Sequence, residues 1–128
     1  MKIRWTATSV RLRITPTELY RLACGEAVEE RLGSAPRGWR ATIVPDPAMT
    51  DLIFCGCEVR LCLSAADRDR LLSAETEGVY FQTNDSPPLR YFIEKDFPCA
   101  HPRAADALEP VTETFAMPAG FAVAKLVR

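Results

Sequence analysis

The densest chemistry in the chain lies between Glu94 and Arg103, which reads Glu-Lys-Asp-Phe-Pro-Cys-Ala-His-Pro-Arg. It gathers two carboxylates, a lysine, an arginine, a thiol and the only histidine of the chain. Those groups suffice in kind for acid–base or thiol chemistry, with Cys99, His101 and Asp96 as the candidates. The spacing argues the other way. Cys99 and His101 are near neighbours, whereas a nucleophile and its base normally come from separate parts of a fold. The plainer reading is a strand end, with Asp96 or Glu94 binding backbone amides and Phe97 packing the end of a barrel.

Two further sets of residues could hold a ligand. Cys55-Gly56-Cys57 and Cys99-Ala100-His101 offer four soft donors, the number zinc takes in a tetrahedral site. Against a metal site, the Cys-x-Cys spacing is tight, and Thr6 and Thr8 stand at the matching positions of an internal repeat described below. Small core residues are the simpler reading of these cysteines. The second set is arginines: Arg11, Arg13, Arg40, Arg60 and Arg90. The planar guanidinium fork suits carboxylate and phosphate, so these five define a candidate anion-binding face. Their ordinary alternative is cross-strand pairing with Glu29, Glu30 or Glu94.

The elements that position these residues come twice. Ser9 to Glu18 (SVRLRITPTE) is echoed by Glu58 to Asp67 (EVRLCLSAAD) at an offset of 49 residues. Ile3 to Thr6 sits over Leu52 to Cys55, and Trp39 to Pro47 over Leu89 to Phe97 at an offset of 50. In Ser9 to Ile14, apolar Val10, Leu12 and Ile14 alternate with Arg11 and Arg13, the period of a half-buried strand. Thr15-Pro16-Thr17-Glu18 then opens a helix with an N-cap hydroxyl, proline at the first helical position and a carboxylate at the third. Gly25 ends it. Lys2 to Thr6, Glu26 to Leu32 and Trp39 to Val44 read as strands, the last stopped by Pro45 and Pro47. The second copy repeats the plan: strands over Asp51 to Cys55 and Glu58 to Leu63, a helix from Ser64 to about Ser73, and strands over Val79 to Gln82 and Leu89 to Glu94. Leu71 and Leu72 are expected to face inward on that helix.

Each half is therefore ββαββ, and the predicted fold is α+β, mainly β. Two unpaired, half-apolar halves can hide their edges by pairing about a pseudo-twofold axis. That predicts a pseudo-twofold barrel or strongly curved sheet, with a short helix at each end. An open sheet with both helices on one face is the alternative. Residues 1–103 make one duplicated domain, with half-repeats of about 1–49 and 50–99. Residues 104–128 are a proline-punctuated extension, in which Phe121 to Val127 reads either as an edge strand or as a loosely attached tail.

At the level of the whole pattern the chain resembles an uncharacterised family of small bacterial proteins. It carries their MKIRW…SVRLRIT start and, about eighty residues on, a segment like FIEKDFPCAHPR, here Phe92 to Arg103. The resemblance spans Met1 to Arg103 and implies no activity and no residue role. A second resemblance, to AbrB-type swapped-hairpin transcription factors, rests on Arg13-Ile14-Thr15-Pro16, the short helix and Gly25-Glu26-Ala27-Val28. The basic residue of that pattern is Thr17 here, so the likeness implies fold rather than DNA binding.

Bulk properties bound the function. At 128 residues, 48% hydrophobic and 26% charged, the chain can bury a sizeable core. A net charge of −1 lacks the basic excess that phosphate contacts give a nucleic-acid binder. There is no apolar run of membrane-span length and no signal-peptide pattern, so a cytoplasmic location with reduced thiols is expected. No phosphate-loop, dinucleotide, zincin or nucleophile-elbow motif is present, and no cofactor is expected. The expectation is a non-catalytic domain that binds a small anionic ligand or a protein partner. The alternatives are a small enzyme with its site around Glu94 to Arg103, and a DNA-binding or structural oligomer of the swapped-hairpin type.

Overall fold

The computed structural model describes residues 1–34, 36–98 and 113–118. Eight strands and two helices follow the predicted order: β1 (Lys2–Thr6), β2 (Ser9–Ile14), α1 (Pro16–Ala23), β3 (Val28–Leu32), β4 (Trp39–Asp46), β5 (Asp51–Cys55), β6 (Glu58–Ser64), α2 (Ala65–Leu72), β7 (Gly78–Gln82) and β8 (Arg90–Lys95). β4 runs on through Pro45, where the sequence predicted a stop. Pro45 lies beyond the last β3 pairing, Val28 with Ile43, so the strand there has one neighbour. A missing N–H is tolerated at such an edge.

The strands form two mixed four-stranded sheets, in the orders β1-β2-β8-β7 and β3-β4-β6-β5. Each sheet takes one hairpin from each half. The hairpins meet at a central parallel pair, β2 with β8 and β4 with β6. The registers match across the repeat: Ser9 opposes Arg90 where Glu58 opposes Arg40, and Lys2 opposes Arg13 where Asp51 opposes Cys62. The two sheets are thus consistent with a duplicated fold. The expected barrel is not found. The halves do pair, but centre to centre, which leaves β1, β7, β3 and β5 as edges instead of closing them.

The helices also differ from expectation. They pack against each other, α1 also touching β3 and β4 and α2 touching β6 and β7, so they do not sit at separate ends. Leu22 and Leu71, 49 residues apart, are both fully buried, whereas Leu72 is exposed. The core lies between the sheets and beneath the helices, and it is built from repeat-equivalent pairs: Leu12 and Leu61, Ile14 and Leu63, Ile43 and Ile93, Val28 and Val79. Each such side chain gains about 1.5–3 kcal/mol on leaving water.

Part of the segment predicted as an extension packs on the domain. Phe115 donates its backbone N–H to the Asp96 carbonyl (2.9 Å) and lies against Phe97. The Glu113 carboxylate accepts from the Thr17 amide (2.8 Å) in the first turn of α1. No helix among the described residues is long and apolar enough to cross a membrane.

Candidate functional site

The five arginines are divided between the two sheets. In β2 the buried positions are Val10, Leu12 and Ile14, so Arg11 and Arg13 lie on the outer face of the first sheet, and Arg90 shares it on β8. Arg40 and Arg60 lie on the outer face of the second sheet, where both bind Glu58. Arg40 donates from Nε (3.0 Å) and Nη2 (2.8 Å), and Arg60 from Nε (3.0 Å). Glu58 is buried, and the Arg60 hydrogen bond, seconded by Arg40, outweighs burial and holds its carboxyl below the usual range. In the first copy Ser9 stands where Glu58 would be. Arg11 pairs instead with Glu94, Nε to Oε1 2.7 Å, and lies 5.7 Å from the centroid of the Phe92 ring. The four repeat-equivalent guanidinium groups are not gathered at the pseudo-axis. Arg11 and Arg90 lie on the outer face of one sheet, and Arg40 and Arg60 on the outer face of the other.

The described part of the Glu94 to Arg103 segment disperses its groups. Glu94 pairs with Arg11 on the outer face. Lys95 turns inward and donates from Nζ to the Ser73 carbonyl (2.7 Å), and burial lowers its pKa. Asp96, also buried, sits 3.0 Å from Lys2 Nζ. Cys99 and His101 lie outside the described residues. Cys55 and Cys57 flank Gly56, whose positive φ of 57° makes the β5–β6 turn, and both thiols are exposed. Among the described residues no group of three or more His, Cys, Asp or Glu side chains could hold a metal ion.

A different feature dominates the surface. The starts of β2, β4 and β6, with Leu89 just before β8 and the β1–β2 turn, border an apolar mouth of about 530 Å³. α1 and α2 follow the opposite ends of β2 and β6, so the mouth lies away from the helices. It is lined by Trp5, Leu32, Trp39 and Phe54 around a floor of Val10 and Val59. The Trp5 and Trp39 rings lie 5.9 Å apart, tilted by 44°. Trp5, Leu32 and Phe54 are 62%, 67% and 61% exposed. Among the described residues no ionisable side chain lines the mouth.

Sequence reasoning weighed charged and sulfur-bearing residues and passed over this site. A signal was present: Trp5 aligns with Phe54, Val10 with Val59, and Trp39 with Leu89. Apolar residues thus recur at matching strand ends in both copies, Trp5 and Phe54 at the close of β1 and β5 and the others at or just before the starts of β2, β4, β6 and β8. Three edge strands reach the mouth, β1 with Ile3 and Trp5, β3 with Leu32 and β5 with Phe54. β5 carries Phe54 and has Asp51 as its one charged residue, whereas the edge strands β1 and β3 carry Lys2 and Arg4, and Glu29, Glu30 and Arg31.

Residues 1–115 match the model of a family of unknown function, DUF7009, and the chain belongs to that family. No curated protein and no solved structure matches it.

Proposed function

We propose that this DUF7009 member is a non-catalytic binding domain that takes an extended apolar segment of a partner protein at the mouth between its sheets. The observation that carries this reading is the exposure, above 60%, of Trp5, Leu32 and Phe54 around one concave site whose described lining residues carry no charge. Contiguous apolar surface of this kind marks an interaction site, and each of these side chains gains about 1.5–3 kcal/mol when covered. β5 supplies the second element of recognition. Among the described residues its outer backbone edge is unpaired, so a partner strand can hydrogen-bond to it while alternate side chains enter the mouth beside Phe54.

The test exploits an accident of composition: the chain's only two tryptophans, Trp5 and Trp39, both line the mouth. Peptides selected from a random displayed library on the immobilised domain are expected to be apolar and β-prone and to shift tryptophan emission to the blue. Phe54→Asp is expected to weaken them about tenfold or more, equivalent to about 1.4 kcal/mol. Selected peptides that leave the emission unchanged and bind Phe54→Asp and Trp5→Ala as well as wild type would refute the reading.

A further inference from the structure

The outer face of the β1–β2 hairpin holds a two-by-two array of cations. Lys2 is directly opposite Arg13, and Arg4 directly opposite Arg11. Alternation puts all four on one face, around a depression of about 290 Å³. Like charges facing each other across an antiparallel pair are destabilising, and here two such pairs follow one another.

Among the described residues the array is only half neutralised. Asp96 pairs with Lys2, and Glu94 with Arg11. Glu94 stands beside Arg13 in the β2–β8 register but turns its carboxylate to Arg11. Arg4 and Arg13 have no acidic partner within ion-pair distance among the described residues. Arg90, on the same face, adds a further positive charge. This surplus sits on a chain whose net charge is −1, so it is a local concentration.

The repeat provides an internal control. At an offset of 49 residues, Lys2, Arg4, Arg11 and Arg13 correspond to Asp51, Ile53, Arg60 and Cys62. The second hairpin has the same register with one cation in place of four. The fold therefore does not require the array.

We propose that the array is a binding site for a ligand bearing two adjacent phosphate groups. Four cations against two carboxylates leave two positive charges to be met, and a diphosphate supplies at least two negative ones. Arg4 and Arg13, diagonal across the hairpin, offer one guanidinium fork to each phosphate, the bidentate geometry for which arginine is suited. Bound there, the anion turns cross-strand repulsion into attraction. This site is independent of the apolar mouth, which opens on the inner side of the same hairpin.

The experiment is thermal unfolding of the full chain titrated with inorganic pyrophosphate, against sodium chloride at matched ionic strength. Pyrophosphate well above its dissociation constant is expected to raise the Tm by about 5 °C or more. The Arg4→Gln/Arg13→Gln variant is expected to unfold at or above the wild-type temperature without ligand, because the repulsion is relieved, and to lose the response. Arg31→Gln/Arg37→Gln, with the same charge change elsewhere, is expected to keep it. A nucleoside diphosphate arm separates the sources: equal or greater protection means that the phosphates of a nucleotide are accepted, and protection by pyrophosphate alone means a free diphosphate. The proposal is overturned if pyrophosphate raises the wild-type Tm no more than chloride does, a result that needs no variant. It is overturned equally if Arg4→Gln/Arg13→Gln responds like wild type, if the control variant loses the response too, or if a single-stranded oligonucleotide protects where pyrophosphate does not.

Discussion

Glu58 receives two arginines from two strands, Arg40 on β4 and Arg60 beside it on β6, and is itself buried. Asp67 is a second carboxylate of this kind. Burial alone would raise its pKa, but hydrogen bonds from Thr50, Ser64 and Arg70 together bring it below the usual range. The sign of the consequence is fixed by linkage. Both folded pKa values are depressed, so the stabilisation is complete above the unfolded values of about 4 and is lost as pH falls through the folded ones. The urea midpoint is therefore expected to hold from neutral pH down to about 5 and to fall steadily below it. Glu58→Gln is expected to flatten part of that fall and to lower the midpoint at neutral pH, where Arg40 and Arg60 are left side by side without their shared carboxylate. A midpoint in Glu58→Gln that tracks wild type at every pH would show that the cluster contributes nothing. Ion pairing of arginines with glutamates was readable from residue types alone. Which glutamate served which arginine was not, because Arg40 and Glu58 are brought opposite each other by a parallel pairing between the halves.

At the scale of elements the sequence was most legible. Both helix starts were written in it. Thr15 accepts from the Glu18 amide while Glu18 accepts from the Thr15 amide, and Ser64 accepts from the Asp67 amide in the second copy. The first cap is reinforced by the chain terminus, whose ammonium lies 2.8 Å from Glu18, and by Glu113 on the Thr17 amide. Thr15→Ala is expected to cost about 1 kcal/mol, within roughly 0.5–2, measured by urea unfolding at neutral pH. A loss well below that range would mean that Glu18 and Glu113 satisfy the helix start without the hydroxyl. The strands were equally plain, since alternation such as Val10, Leu12, Ile14 against Arg11 and Arg13 is local information. What alternation cannot specify is which strand lies beside which. It marks the buried face, and both a barrel and two packed sheets bury that face. The apolar mouth escaped for a related reason. Trp5 and Phe54 are core-like by residue type, and their exposure follows from their standing at strand ends that no described residue covers.

At the scale of the molecule, the central parallel pairs make the two halves interdependent. β2 has β8 as its inner neighbour and β4 has β6, so each half takes the centre of both its sheets from the other. The core is divided in the same way, Leu12, Ile14, Leu22 and Ile43 coming from the first half and Leu61, Leu63, Leu71 and Ile93 from the second. An isolated first half would keep two hairpins and one helix of 8 residues. Two-stranded hairpins are at best marginal in water, helices of that length do not persist alone, and a chain of this size buries too little surface to offset its conformational entropy. A polypeptide of residues 1–49 is therefore expected to show no cooperative unfolding transition as a monomer. Mixed with residues 50–118, it is expected to associate one to one and to regain structure. The readout is again intrinsic, because Trp5 and Trp39 both belong to the first half. Their emission should move to the blue on mixing, with a sedimentation mass equal to the sum of the pieces. A folded, monomeric 1–49 would mean that each half closes its own core, which the β2–β8 and β4–β6 pairings do not allow.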